Sequence, residues 1–275
     1  MCIRLVSFTL ICLISISSFA QQSPASDNCG LRAPERCAFA IAKDQTAILT
    51  SPFHIRKKDL VWLLPFVAAT GTALAFDRKT LEQVSTTPSQ VENFRRASNL
   101  TGIYAPLAGM GATWLTGVIR HDDHLRETGF LAGEAIADTI LFTSILKYGT
   151  DRVRPKAAGL SAESGEFWPD GKHYAGADSF PSGHSAMAFA FAHVVASEYP
   201  NWKTKLLVYS LAAATAVERV GGREHFPSDV LVGSAIGYLV GGYVYNHQAA
   251  SSRTHILLSP IVGNKAVGVS LAFSF

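Results

Sequence analysis

After a polar N-terminal arm that runs to about Asp59, six stretches of apolar residues recur along the chain, at 61–76, 99–119, 128–147, 184–197, 205–217 and 230–245. Their lengths and their Ala, Leu and Gly content predict helices. The connections between them are charged or rich in turn formers. The longest are 77–96 and 154–182, the second holding Gly159, Gly165, Pro169, Gly171 and Gly176. No internal repeat is present. Near the end the period changes: 255–262 and 265–275 read as two strands joined by Gly263-Asn264, with alternation in Val267, Val269, Leu271 and Phe273. The pattern predicts an all-α protein, a bundle of six helices followed by a short C-terminal β-hairpin.

Residues 1–20 read as a secretory leader. Arg4 supplies the positive start, 5–16 the apolar stretch, and Ser18-Phe19-Ala20 the small-x-small cleavage site. Cleavage leaves a mature chain from Gln21, 275 minus 20 or about 255 residues, a size that suits one domain. The alternative is an uncleaved anchor, but the apolar stretch is shorter than the roughly 20 residues a spanning helix needs. Cys2 and Cys12 depart with the leader. Cys29 and Cys37 remain, an even pair in an oxidising compartment, and predict a disulfide that pins the arm of residues 21–59. The division expected is leader 1–20, arm 21–59, helical domain 60–247 and tail 248–275.

Composition sharpens one question. The chain is 48% hydrophobic but only 16% charged, against roughly 25% charged in an average soluble domain. The net charge of +3, from 24 basic and 21 acidic residues, is a small surplus with no clustered patch. A nucleic-acid partner is therefore not expected. Whether the helices cross a membrane is argued from parity and cost. An exported N-terminus followed by three crossings would put the loop after Lys147 on the cytoplasmic side. Glu134 and Asp138 share one face of the third segment, and each charge near a bilayer centre costs roughly 2.5–3.5 kcal/mol. The expectation is an exported, periplasmic or envelope helical domain whose apolar segments pack against one another. An integral inner-membrane protein is the alternative, favoured by the charge-free run 99–119.

Three polar constellations stand at the predicted helix ends. In the first, Lys147 and Arg154 are seven positions apart, which on a helix brings both to one side before Pro155 ends it. An ammonium and a planar guanidinium can then clamp an oxyanion. In the second, Ser179-Phe180-Pro181-Ser182-Gly183-His184-Ser185, Ser182 suits an N-cap and the following backbone N–H groups suit an anion, with His184 beside it. In the third, Glu218 to Asp229, Pro227 opens a helix, so His225 lies just before its start and Asp229 just inside. A carboxylate there can hold one imidazole nitrogen and leave the other free to attack. Each motif alone also fits an ordinary capped or solvated helix end.

Together and in this order, Lys147-x6-Arg154-Pro155, Pro181-Ser182-Gly183-His184 and Arg219-x5-His225-x3-Asp229 resemble the phosphatidic acid phosphatase type 2 and vanadium haloperoxidase superfamily, over roughly residues 60–247. The resemblance implies the six-helix bundle of that family and a phosphatase working through a phosphohistidine. His225 would be the nucleophile, Asp229 its orienting partner and His184 the general acid and then base. Lys147, Arg154, Arg219, Ser182 and Gly183 would hold the phosphate oxygens. The residue types suit that chemistry in their own right. No metal or other cofactor is expected, because the chain has no His-Glu-x-x-His signature or comparable carboxylate cluster near these motifs.

The chain departs from the family pattern at Glu218, where many members carry Ser. Arg152, Arg223 and His173 have two readings, as accessories to the site or, the favoured one, as surface residues answering local charge. Phe167-Trp168-Pro169 suits either an apolar lip for a lipid chain or the loop's own small core. The substrate expected is a phosphomonoester or diphosphate, with a lipid leading, and membrane association would follow. The rivals are a vanadate-dependent haloperoxidase using the same cradle and a non-catalytic envelope protein.

Overall fold

Polar side chains that cap or interrupt the apolar runs decide where the helices start and stop. The computed structural model describes residues 34–50, 56–155, 159–169, 178–253, 255–263 and 266–274. Its helices are α1 (Pro34–Thr50), α2 (Leu60–Gln83), α3 (Pro88–Asn99), α4 (Ala105–Arg120), α5 (Asp123–Thr150), α6 (Gly183–Glu198), α7 (Trp202–Gly221) and α8 (Pro227–Arg253). A π-helical turn, Leu100–Tyr104, joins α3 to α4 without a break. The six predicted helices are thus present as α2, the α3–α4 rod and α5 to α8. The connection 77–96 proves shorter than expected, since Pro88 at the first helical position starts α3 well before Asn99.

The N-terminal arm is not merely polar. Its residues 34–50 form α1, and Asp44 and Gln45 on it are buried. Gln45 Nε2 donates to the Asp138 carbonyl at 3.0 Å and to Asp138 Oδ1 at 2.9 Å. Tyr243 donates to Asp44 Oδ1 at 3.2 Å. The polar letters that suggested a solvated arm are spent on other helices. Cys29, the Cys37 side chain and the leader lie outside the described residues, and the predicted disulfide with them.

Chain contacts divide the protein into residues 41–250 and a second unit made of residues to 40 with 251–275. In the second unit β1 (His255–Gly263) pairs antiparallel with β2 (Ala266–Ser274), Ile256 facing Phe273 and Val262 facing Val267. This is the expected hairpin.

In the larger unit, Leu131, Ala132 and Ala135 of α5 pack with Ala190 and Val194 of α6 and Val240 and Val244 of α8. Small residues let α6 and α8 approach closely. Gly233, Gly237 and Gly241, spaced one turn apart on α8, face the backbone of Ser182, Ala186 and Ala190, and a Cβ at any of them would run into a carbonyl oxygen. This seam sets the distance between the start of α6 and the start of α8, where the second and third motifs lie.

The outside of the bundle does not follow the expectation that apolar segments cover one another. The most apolar 18-residue window within 57–83 has none of its residues buried, and Val61, Leu64 and Val67 are largely exposed, although Asp77 and Leu81 of the same helix turn inward. Leu206, Leu207, Leu211 and Val217 of α7 and Ile119 of α4 also face outward. Among the described residues, two helical stretches, 57–83 and 123–150, are long and apolar enough to cross a membrane. A helix that is apolar all round and unburied by its own chain matches a lipid environment. The polar pair Glu134 and Asp138, which argued against crossing, is buried inside the bundle and not turned to lipid.

Candidate active site

The first motif meets the others through a turn and not through helical periodicity. Helix α5 ends at Thr150, because Asp151 adopts the left-handed conformation with φ 42°. Arg154 therefore lies beyond the helix, in a segment tied down by Val153 N to the Glu166 carbonyl (3.0 Å), Gly165 N to the Val153 carbonyl (3.0 Å) and Ser179 N to the Arg152 carbonyl (2.9 Å). Those bonds bring the Lys147–Arg154 stretch beside the start of α6. There Ser182 takes the predicted N-cap position, though its hydroxyl pairs with that of Ser185 at 3.1 Å. Ser182 N in turn donates to the Asp229 carbonyl at 3.0 Å, which joins the second motif to the third.

His225 is buried, and its Nδ1 lies 3.5 Å from Asp229 Oδ2. That separation is longer than a well-formed hydrogen bond, and Nδ1 has no nearer partner. The carboxylate itself is fixed from three sides. Arg152 Nη1 approaches Oδ1 at 2.5 Å, while Ser179 Oγ (2.5 Å) and the Phe226 N–H (2.8 Å) donate to Oδ2. Arg152 continues through Nη2 to Asp77 Oδ2 at 2.7 Å and lies between the rings of Phe167 and Phe226, 4.8 Å and 4.4 Å from their centroids. Asp77 also accepts the backbone N–H of Ser228 at 3.0 Å. Arg152 is therefore no surface residue. Neither is Arg223, which is buried and donates to the carbonyls of Leu81 (2.8 Å) and Val84 (2.9 Å). Both were misread because their carboxylate and carbonyl partners come from α2 and its end, far away in sequence. His173 lies outside the described residues.

The three predicted cations converge, each held by an anionic or polar partner. Lys147 Nζ donates to the Asp178 carbonyl. Arg154 makes a two-pronged pair with Asp178, at 2.6 and 2.9 Å, and reaches Glu224 Oε2 at 2.7 Å. Arg219 reaches the same oxygen at 3.3 Å and Ser98 Oγ at 3.3 Å, while its buried Nε has no partner. Arg95 of α3 contacts the other oxygen of Glu224 at 2.6 Å. Asp178 and Glu224 thus occupy guanidinium donors of a kind that also bind oxyanions. Glu218 turns away from them: its Oε2 accepts from Thr101 at 2.7 Å.

His184 is near the same cations, and its Nε2 is 2.9 Å from Asn99 Oδ1. Burial, with Arg219, Arg154 and Lys147 adding to it, pushes its pKa down to about 3. Burial likewise takes His225 down to about 3 against the pull of Asp229. Burial alone would raise Asp229, but His225 and Arg152 hold it down at about 2. At neutral pH the unliganded site thus has two neutral imidazoles and one carboxylate. A neutral, deprotonated imidazole nitrogen is the nucleophilic form.

Phe167 takes the second of its two readings: it stacks on Arg152 and meets Phe180 edge-on at 5.7 Å. Trp168 is exposed and donates to the Gly149 carbonyl at 2.7 Å, next to exposed Tyr148. Among the described residues no three His, Cys, Asp or Glu side chains are grouped to hold a metal. Asp77, Arg95, Asn99, Asp178 and Glu224 were not singled out in the sequence. Asp178 precedes the Ser179–Ser185 motif directly and Glu224 lies inside the third, so both were within reach of closer attention to the charges flanking the motifs.

These side chains stand in the order of the three motifs, and residues 128–253 match the model of the PAP2 superfamily. Among individual proteins it is similar to the lipid A 1-phosphatase of Porphyromonas gingivalis, 41% identical over 83 residues, which is 30% of this chain and 18% of that one. It is also similar to a PA-phosphatase related-family protein of Dictyostelium discoideum, 33% identical over 145 residues, 46% of this chain and 49% of that one. The chain spans about half or less of the length of these curated relatives. Among solved structures it aligns with the transmembrane PAP2 type phosphatidylglycerolphosphate phosphatase of Bacillus subtilis, with 20% identity, 80% of this chain, 98% of that one and a TM-score of 0.48. Aquifex aeolicus LpxE aligns with 22% identity, 63% of this chain, 94% of that one and a TM-score of 0.42.

Proposed function

We propose that this protein is a phosphatase that hydrolyses a lipid phosphomonoester or diphosphate through a phosphohistidine at His225, without a metal. The observation that carries the reading is the convergence of three distant stretches. Lys147 and Arg219 lie near a buried His225 whose Nδ1 faces Asp229, and the same two cations with Arg154 lie near His184. Phosphoryl transfer depends chiefly on positioning and on charge aimed at the equatorial oxygens, and three cations with the Ser182–Gly183 helix start supply it.

In the first half-reaction His225 Nε2 attacks phosphorus while the bond to the leaving oxygen breaks. That oxygen takes a proton from His184, which takes it up from solvent as the phosphate dianion binds beside the ring and favours its charged form. Asp229 balances the positive charge left on the His225 ring. In the second half, water gives a proton to His184 as its oxygen attacks phosphorus and the P–N bond breaks. As phosphate is released, His184 returns its proton to solvent and both imidazoles are neutral again.

Two observations support a lipid as substrate. The curated relative from Porphyromonas gingivalis is named for a lipid phosphate. The site sits beside exposed Tyr148 and Trp168 on a bundle whose outer helices present apolar side chains, and aromatic rings suit a wet-to-apolar boundary. We place the protein in the cell envelope, associated with a membrane. The test is release of phosphate from lipid and soluble esters by the detergent-extracted protein, with chelator present. Wild type retains activity, His225→Ala abolishes it, and His184→Ala accumulates an acid-labile phosphoenzyme from an aryl phosphate. Full activity in His225→Ala overturns the mechanism.

A further inference from the structure

Of the two histidines, His184 has its ring engaged from outside all three motifs. Its Nε2 lies 2.9 Å from Oδ1 of Asn99, 85 positions upstream. Asn99 is the last residue of α3, directly before the π-helical turn Leu100–Tyr104. Such turns are uncommon, and they gather at functional sites because the extra residue re-aims the side chains around it. Here the turn presses on His184 itself. A Cβ at Gly102 would stand 3.0 Å from the His184 Cβ and 2.7 Å from the Thr215 methyl, so the rod comes this close only because residue 102 has no side chain. Neighbouring positions serve the same region: Ser98 Oγ accepts from Arg219 at 3.3 Å, and Thr101 donates to Glu218 at 2.7 Å. The junction of α3 with the π turn is a fourth segment that shapes the site.

We propose that Asn99 is a positioning residue that holds the proton of His184 on Nε2, so that Nδ1 is the nitrogen that exchanges a proton with the leaving oxygen and then with water. The inference rests on the phosphatase reading. A side-chain carbonyl only accepts, so with Oδ1 turned to the ring Nε2 must carry hydrogen in both the neutral and the charged imidazole. The titrating position is then Nδ1. In the first half-reaction Nδ1–H passes its proton to the departing oxygen as the P–O bond breaks. In the second, Nδ1 takes a proton from water as the P–N bond breaks. Without Asn99 the ring can turn and the neutral tautomers compete.

The experiment compares wild type with Asn99→Leu and Asn99→Asp, full chain in detergent micelles, on a short-chain alkyl phosphate lipid and on an aryl phosphate of good leaving ability. A general acid contributes roughly 10²–10⁴-fold where the leaving group is poor. Asn99→Leu should therefore lose about tenfold or more in kcat on the alkyl ester and far less on the aryl ester, with KM unchanged on both. Asn99→Asp, which also only accepts, should restore much of the alkyl activity and move the alkaline limb of kcat to higher pH, because its charge favours the imidazolium. Equal losses on both esters with an unmoved pH profile, or no loss in Asn99→Leu, overturn the proposal. The tautomer is read separately from ¹⁵N shifts of histidine-labelled protein. Wild type should show His184 protonated at Nε2, and Asn99→Leu a mixture. A wild type with that tautomer and no phosphatase activity would overturn the reading of function and leave the positioning role standing. An Nδ1-protonated neutral ring in wild type overturns the positioning role whatever the activity.

Discussion

Asp77 Oδ2 and Arg152 Nη2 lie 2.7 Å apart, both buried, and join α2 to the loop after α5 across 75 positions of sequence. Through Nη1 the same guanidinium reaches Asp229, the carboxylate facing His225. Arg152 is thus shared between two buried carboxylates, one structural and one in the site. Removing a single partner from such a set leaves an uncompensated buried charge, which costs roughly 3–5 kcal/mol. Arg152→Met should lower the unfolding midpoint sharply and reduce kcat, since Asp229 loses one of its anchors. Asp77→Asn should be milder, because the amide can still accept from Arg152 and Ser228. A melting curve of Arg152→Met that overlays wild type would show that the pair carries no stability.

The α6–α8 seam yields a second expectation. A side chain at Gly237 meets the Ala186 carbonyl, with no flexible group to give way. Gly237→Ala should force the two helices apart, at a cost of roughly 1–3 kcal/mol for an overpacked contact. Since His184 opens α6 and His225 precedes α8, kcat should fall along with stability although no site residue is altered. Gly71, inside α2, where an added Cβ meets nothing within 4 Å, supplies the control: Gly71→Ala should leave kcat unchanged and raise stability by up to about 1 kcal/mol. Thermal unfolding and turnover of the two variants decide it.

How much of this was legible beforehand follows from the range of each interaction. Helix starts at Gly183 and Pro227 were readable because capping and proline geometry are local. The pairing of His225 with Asp229 was readable because four positions separate them. Helix α1 was not, because Asp44 and Gln45, which read as part of a polar arm, turn inward and bond to Tyr243 and Asp138 of other helices. Arg152 was misread for the same reason, its partner Asp77 lying in another helix. The Lys147–Arg154 spacing gave the right neighbours for a wrong reason. A left-handed residue, Asp151, stops the helix before the second cation, and loop hydrogen bonds bring it round. The outward apolar faces were hidden too, since composition says how many apolar residues exist and not which way they point.

Glu224 gives a prediction whose two parts have opposite signs. One of its oxygens engages Arg154 and Arg219 and the other engages Arg95. An arriving phosphate has to displace it from donors it already holds. Glu224→Gln removes a negative charge from the cradle, so inorganic phosphate should inhibit at severalfold lower concentration. The same change leaves three guanidinium groups less well balanced, so the unfolding midpoint should fall. Product-inhibition constants and melting curves measured together separate this from a simple loss of folding. Weaker inhibition by phosphate would mean that Glu224 chiefly holds the arginines in place.

The depressed histidines fix how stability depends on pH. His225 and His184 each fall from an ordinary 6.5 to about 3, mainly through burial. Below about pH 6.5 the unfolded chain takes up protons at these positions and the folded chain does not, so acid favours unfolding. Their contribution is complete above pH 6.5 and is lost as pH falls toward 3. Near pH 5 the loss is on the order of 2 kcal/mol for each ring. Asp229 acts in a lower window, between its ordinary 3.8 and about 2, so the range from pH 6.5 to 4 reports the imidazoles and not this carboxylate. His225→Gln keeps a neutral polar side chain and removes one titrating ring. Its melting temperature should therefore fall less steeply than that of wild type from pH 7 to 4.5, whatever its offset at pH 7. Equal slopes would show that His225 titrates alike in the folded and unfolded chain, so that burial does not hold its ring neutral in acid.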